Sequence, residues 1–115
     1  MSVTIYHNPR CSKSRQTLQL LKENGIEPRI VEYLKEPPDA ATLKRLVRQL
    51  NLSARDLLRP GEAVYKELKL ADPGKSEDEI IAAIVENPIL LERPIVVKEG
   101  KAVLGRPPEN ALKLL

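Results

Sequence analysis

Cysteine and histidine, the side chains that most often form disulfides or ligate metals, occur only once each in this sequence of 115 residues, as Cys11 and His7. A single cysteine cannot form an internal disulfide, which argues against a secreted, cross-linked scaffold. One cysteine with one histidine is also too few soft ligands for a zinc-type site. The sequence therefore predicts neither a disulfide framework nor a metal centre.

Aromatic residues and long apolar runs are scarce as well. The chain has no tryptophan or phenylalanine and only three tyrosines, so few rings are available for stacking on nucleic-acid bases. Its 19 basic and 16 acidic residues are scattered and leave a net charge of only +3, a weak signal for nucleic-acid binding. No apolar run has the length of a membrane span, and the N-terminal residues lack the pattern of an export signal. We therefore expect a soluble, cytoplasmic protein with no nucleic-acid or membrane partner.

What the sequence does contain is a β-α-β pattern, then helices, then a β-β-α pattern. β-Branched runs indicate the strands, and apolar periodicity with capping residues indicates the helices. The predicted strands are at 3–6, 29–34, 95–98 and 101–104. The predicted helices run from Ser12 to a stop at Asn24-Gly25, after a cap at Asp39, over 53–58, over 76–86, and after Pro107-Pro108.

This order of elements predicts the fold. A right-handed crossover makes the first two strands parallel, and a tight turn at Glu99-Gly100 makes the last two antiparallel. We expect one domain over residues 1–115 with an α/β, thioredoxin-like fold. Its mixed four-stranded sheet is flanked by helices, and a helical insertion at about 53–90 separates the β-α-β and β-β-α halves.

Cys11 lies in the predicted turn between the first strand and the first helix, in "HNPRCSKSRQTL", residues 7–18. Free backbone N–H groups and the helix dipole stabilise an anion at such a position. Arg10, Lys13, Arg15 and, if protonated, His7 add positive charge, which favours a thiolate with a pKa below the usual value of about 8.5. The alternative is that Cys11 is a small buried apolar residue, but its polar neighbours disfavour full burial.

The spacing around Cys11 narrows the chemistry. Ser14 stands where a C-x-x-C redox pair would have its second cysteine, so an internal dithiol cycle is impossible. Arg15 is too close for the C-x5-R loop of tyrosine phosphatases. The turn therefore predicts a monothiol nucleophile that needs an external reductant. The spacing leaves open whether His7 touches the sulfur, and Ser14 is interpreted first as a helix cap that could also donate to the sulfur.

Three arginines stand next to prolines at the ends of predicted elements: Arg59, Arg93 and Arg106. Guanidinium groups bind tetrahedral oxyanions through paired, charge-assisted hydrogen bonds. Taken singly, each arginine is more often a surface residue, and spacing alone does not show that the three meet.

Three segments carry a resemblance to a known family. "YHNPRCSKSRQTL" resembles the H-N-P-x-C-x-x-S-R signature of the glutaredoxin-coupled arsenate reductases, "ERPIVV" resembles their R-P-I-V-V strand, and "LGRPPE" resembles their G-R-P element. This ArsC-like branch of the thioredoxin superfamily also includes the Spx-type regulators. The resemblance covers essentially the whole chain, although Ser12-Lys13 replaces the Gly-Thr that well-known members carry after the cysteine.

The resemblance implies a reaction and a site. The reaction is reduction of arsenate to arsenite with glutathione as co-substrate and glutaredoxin as the final reductant, with no tightly bound cofactor. The implied roles are Cys11 as nucleophile, His7 as a neighbour that lowers its pKa, Ser14 and Arg15 as groups that assist the thiolate and oxyanion, Arg59, Arg93 and Arg106 as anion-binding residues, and Asn8 and Pro94 as structural residues, with a cis Arg93–Pro94 bond.

Two other functions fit the same resemblance. One is a glutathione-linked thiol oxidoreductase acting on another substrate. The other is an Spx-like regulatory protein that binds RNA polymerase. Regulators that sense redox state at this turn usually carry C-x-x-C, and Ser14 takes the place of that second cysteine here.

Overall fold

The computed structural model describes residues 2–114, which form two compact units. Residues 2–36 and 93–114 make up one, here called the sheet unit, and Pro37–Glu92 make up the other, here called the helical unit. The helical unit contains the predicted insertion at about 53–90 and also the helix that follows Asp39. That the whole chain is a single domain stays a prediction.

The sheet unit confirms the predicted mixed four-stranded sheet. Its strand order is β2-β1-β3-β4, with β1 and β2 parallel and the other neighbours antiparallel. A two-residue turn joins β3 to β4, and both of its residues, Glu99 and Gly100, have positive φ angles of 50° and 80°, as a tight hairpin requires. The elements are β1 (Val3–His7), α1 (Ser12–Glu23), β2 (Arg29–Glu32), β3 (Ile95–Lys98), β4 (Lys101–Leu104) and a closing 3-10 helix (Pro108–Leu114).

Alternation along β1 and helical periodicity along α1 build the core of this unit. Every second residue of β1 is buried, and α1 buries Ser14, Thr17 and Leu21 on one face. Full burial of each large aliphatic side chain stabilises the unit by about 1.5–3 kcal/mol. The core cluster consists of Val3, Ile5, Leu21, Val96 and Ala111.

The helical unit contains helices with capped N-termini, as the sequence predicted. Asp39 accepts a hydrogen bond from the Thr42 N–H at 2.8 Å, and Ser76 with Glu79 forms a capping box. Buried leucines and isoleucines of α2 and α4 supply its core. The elements are α2 (Ala40–Leu50), a 3-10 turn (Ala54–Leu57), α3 (Ala63–Glu67), α4 (Glu77–Glu86) and a 3-10 turn (Pro88–Leu90).

Three elements differ from the sequence prediction, and one of them is the 3-10 turn Pro88–Leu90, for which no separate helix was predicted. The second strand ends at Glu32 rather than at residue 34, because the N–H groups of Lys35 and Glu36 turn back to the Glu32 carbonyl. Helix α3 was missed because none of its five residues is buried, so it carries no apolar periodicity. Within residues 2–114, no helix combines the length and apolar character needed to cross a membrane.

Candidate active site

Backbone and side-chain hydrogen bonds of Asn8 shape the turn that carries Cys11. The Asn8 carbonyl accepts from the Cys11 N–H at 3.0 Å, and its Oδ1 accepts from the Arg10 N–H at 2.9 Å. Cys11 is the N-cap residue of α1, with its carbonyl accepting from the Arg15 N–H at 3.0 Å. The sulfur is therefore held at the N-terminus of the helix, where unpaired N–H groups favour an anion.

Ser14 is buried behind this turn and is not the helix cap that the sequence suggested. Its Oγ lies 2.6 Å from His7 Nδ1 and accepts a hydrogen bond from the Asn8 N–H at 3.0 Å. The helix instead begins at Cys11 without a side-chain cap. Ser14 thus ties the end of β1 to the first turn of α1.

His7 is buried at the end of β1 and reaches the turn through Ser14. Burial lowers the pKa of His7 below its usual value; Glu32 raises this pKa, and Arg15 and Lys22 lower it further. The lowered pKa favours the neutral imidazole over the protonated His7 considered from the sequence. The contact that links it to the turn is a hydrogen bond with Ser14 rather than a charge beside the sulfur.

Two guanidinium groups meet at the Cys11 sulfur. Arg106 Nη2 lies 3.6 Å from Cys11 Sγ, while its Nε donates to the Arg93 carbonyl at 2.7 Å. The Arg93 side chain also hydrogen-bonds to the sulfur. The Arg93–Pro94 bond is cis, as predicted, and the Arg106–Pro107 bond is cis as well, which the sequence analysis did not predict. The structure thus brings together two of the three arginines singled out from the sequence.

The pKa of the Cys11 thiol lies below its ordinary value, in the direction that the sequence predicted. Burial raises this pKa, but hydrogen bonds to the sulfur from the Ser14 N–H, the Arg93 guanidinium and the Lys13 N–H outweigh that effect. The helix N-terminus therefore contributes as expected. The second main contribution comes from Arg93, a residue distant in sequence, rather than from the charged side chains of the turn itself. Cys11 is buried, with 9% of its surface exposed, so its polar neighbours do not prevent burial as the sequence suggested.

The other two predicted arginines each have partners within their own unit. Arg15 is exposed, and its Nη1 donates to the Pro9 carbonyl at 2.9 Å. Arg59 belongs to the helical unit, where it forms ion pairs with Glu92 at 2.8 Å and Glu62 at 3.4 Å. The roles of Arg15 and Arg59 at the site stay predictions that rest on the resemblance.

Sequence reasoning missed two residues of this site, Tyr33 and the closely packed Gly105. Tyr33 is fully buried and interacts with the Arg93 guanidinium. The Gly105 N–H donates to the Pro94 carbonyl at 2.9 Å, and a Cβ at this position would lie 2.6 Å from Thr17 Oγ1 and 2.7 Å from Pro94 Cγ. The glycine could have been found from the "LGRPPE" segment, which resembles the family's G-R-P element. Tyr33 was predicted only as a residue of the strand 29–34.

No group of three or more histidine, cysteine, aspartate and glutamate side chains within residues 2–114 is arranged to hold a metal ion. At the turn, the structure offers a sulfur nucleophile beside guanidinium and backbone N–H donors. Such donors suit a tetrahedral oxyanion, whose oxygens accept charge-assisted hydrogen bonds.

Comparison with known proteins places this site in a family. The ArsC family model matches residues 6–114, which include the Cys11 turn and both arginines at the sulfur. The chain belongs to the ArsC family. This confirms the resemblance noted in the sequence.

Relatives in the ArsC family cover nearly the full chain. The chain is 60% identical over 114 residues to "Uncharacterized protein YfgD" of Escherichia coli K12, covering 98% of this chain and 96% of that protein. It is 50% identical over 109 residues to an arsenate reductase of Neisseria meningitidis serogroup A, covering 94% of this chain and 93% of that one.

Solved structures of the family agree with the fold. An arsenate reductase from Vibrio cholerae superposes with a TM-score of 0.97 at 52% identity, covering 100% of this chain and 98% of that chain. A putative arsenate reductase from Yersinia pestis superposes with a TM-score of 0.93 at 53% identity, covering 97% and 99%. The predicted thioredoxin-like fold is confirmed.

Proposed function

We propose that this protein reduces arsenate to arsenite with Cys11 as the nucleophile. The observation that carries the proposal is the environment of the Cys11 sulfur. N–H groups of the helix N-terminus and two guanidinium groups contact the sulfur, and the pKa of the thiol is lowered. A reactive thiolate and an oxyanion site therefore coincide. Relatives and solved structures named arsenate reductase support the choice of arsenate as that oxyanion.

The first step follows from the donors around the sulfur. Arg93 and Arg106 hold the oxygens of arsenate, and the Cys11 thiolate attacks the arsenic atom. An S–As bond forms and an arsenate oxygen leaves as water after protonation. Positive charge fixed beside the developing charge lowers the barrier, and each such donor is typically worth about 3–4 kcal/mol.

Glutathione supplies the electrons in the second step. Its thiolate attacks the Cys11 sulfur, the S–As bond breaks, and the electron pair of that bond stays on arsenic, which leaves as arsenite. Two thiols are oxidised to one mixed disulfide while arsenic gains two electrons. A glutaredoxin then removes glutathione from Cys11, since the chain has no second cysteine that could do so.

The reductants also define where the protein works. Glutathione and glutaredoxin are reducing partners of the cytoplasm, so we propose a cytoplasmic enzyme that needs no tightly bound cofactor. Ser14 and His7 support the turn in this scheme. Asn8 closes the turn, and Pro94 directly precedes β3. Arg59 is proposed as a further anion-binding residue, on the resemblance alone.

The experiment is an assay of arsenite formation with purified protein, glutathione and glutaredoxin. Wild-type protein should turn over arsenate, and Cys11→Ser should abolish turnover. Replacing glutaredoxin with thioredoxin should reduce the rate to near background. Full turnover by Cys11→Ser would refute the proposal, and faster reduction of a glutathione mixed disulfide than of arsenate would favour a thiol oxidoreductase with another substrate.

A further inference from the structure

Tyr33 is a fully buried titratable residue that the proposed reaction does not use. It follows β2 directly, and the last residue of β2, Glu32, pairs with His7 at the end of β1. The turn that carries Cys11 also leaves β1 at His7. Since β1 and β2 are parallel, Tyr33 and the Cys11 turn both lie at the end of the sheet where these two strands finish.

Arg93 lies at the same end of the sheet, because β3 runs antiparallel to β1 and begins there. β3 begins at Ile95, which pairs antiparallel with Tyr6 near the end of β1, so Arg93 and Pro94 lie beside the same turn. The Arg93 side chain hydrogen-bonds to the Cys11 sulfur and interacts with Tyr33, and its Nε and Nη1 atoms are buried together with the Tyr33 hydroxyl oxygen. The guanidinium therefore lies between the phenol and the thiol.

We propose that Tyr33 is a positioning residue that holds the Arg93 guanidinium on the Cys11 sulfur. An arginine side chain is long and has many rotamers, so a contact with the sulfur through one N–H group leaves the rest of the guanidinium to be ordered. The buried ring of Tyr33 is rigid, and it holds the hydroxyl oxygen, which can accept a hydrogen bond, in the same buried region as the guanidinium. Arg93 is thereby kept in the rotamer in which it stabilises the thiolate.

This inference deepens the proposed function and is tested on the thiol rather than on arsenate. Tyr33→Phe removes only the hydroxyl oxygen and keeps the buried ring. Loss of the hydroxyl that orders the guanidinium should raise the pH midpoint of Cys11 alkylation by about half a unit to one unit. Tyr6→Phe, on a half-buried tyrosine of β1, is the matched control and should leave the midpoint unchanged.

A double-mutant comparison separates positioning from a general loss of packing. If Tyr33 acts through Arg93, Tyr33→Phe should have no further effect on the midpoint in an Arg93→Ala background. An unchanged midpoint in a folded Tyr33→Phe protein would overturn the proposal. So would an equal upward shift in the presence and absence of Arg93.

Should Tyr33→Phe fail to fold, the wild-type protein still provides a test. With ¹³C label at the ring Cζ of tyrosine, the Tyr33 signal should shift with a midpoint equal to that of Cys11 alkylation, and Cys11→Ser should abolish this shift. A Tyr33 signal that does not change across that pH range would refute the proposal. An absence of arsenate turnover alongside a normal thiol titration would refute the proposed function and leave the role of Tyr33 standing.

Discussion

Arg106 contacts both the nucleophile and the backbone of the other arginine at the site. Its Nη2 lies 3.6 Å from Cys11 Sγ, and its Nε donates to the Arg93 carbonyl at 2.7 Å. The two contacts use different nitrogens of one planar group, so the backbone contact fixes the direction in which the other N–H groups point. The guanidinium is therefore oriented before an oxyanion arrives.

Arg106→Lys should weaken arsenate binding although it keeps the positive charge. A single ammonium cannot make both contacts of the planar group, so a charge-assisted hydrogen bond to the oxyanion is lost. We expect KM for arsenate to rise about tenfold. Arg48→Lys, on an exposed residue of α2, is the control and should change nothing. Steady-state kinetics check this, and equal KM values for the two variants would contradict it.

Ser14→Ala should destabilise the protein. The Ser14 hydroxyl contacts two groups of buried residues, His7 Nδ1 and the Asn8 N–H, and alanine replaces neither contact. Leaving a buried polar group without its partner costs about 1–3 kcal/mol. Urea unfolding should detect this loss, while Ser12→Ala, on the exposed side of the same turn, should be neutral. A midpoint shared by all three proteins would show that Ser14 does not support the turn.

His7 should make stability depend on pH. Burial, partly opposed by Glu32 and aided by Arg15 and Lys22, sets the pKa of His7 in the folded protein below its ordinary value of 6.5. The unfolded chain then binds more protons, so the contribution is complete above pH 6.5 and is lost as the pH falls below that value. It levels off below the pKa of the folded state.

The measurement is the free energy of unfolding of wild type and His7→Gln across the range from neutral to mildly acidic pH. Other groups titrate in both proteins, so the difference between the two curves isolates His7. Wild type should lose more stability than the variant on acidification. Parallel curves would mean that the imidazole titrates alike in the folded and unfolded states.

Gly105→Ala should be costly because of contacts rather than backbone conformation. The new methyl group would meet Thr17 Oγ1 at 2.6 Å and Pro94 Cγ at 2.7 Å, closer than real Cβ contacts. Overpacking of this kind costs about 1–3 kcal/mol. Gly61→Ala is the matched control, because nothing lies within 4 Å of a Cβ at that position. Thermal unfolding should separate the two variants, and equal melting temperatures would contradict the packing argument.

Much of the fold could be predicted because its signals are local. The strands 95–98 and 101–104 have the predicted bounds, since β-branched residues flank a turn whose residues adopt positive φ angles. The helix after Asp39 was predicted from its cap and its apolar face. Where local signals are absent, as in α3, which has no buried residue, the prediction failed.

The site was predictable in its nucleophile but not in the groups that surround it. Cys11 stood out because it lies at a helix start among polar residues. The contribution of Arg93 to the pKa of the thiol depends on a contact between residues more than eighty positions apart, which no periodicity reveals. Ser14 was interpreted as a cap because burial behind the turn cannot be read from its position in the helix.

The most direct test of the account is the intact mass of the protein after incubation with arsenate and glutathione in the absence of glutaredoxin. The account predicts that one glutathione becomes attached to Cys11 only when arsenate is present, that arsenite appears in equal amount, and that added glutaredoxin restores the original mass. Continued formation of arsenite with Cys11 unmodified would contradict it.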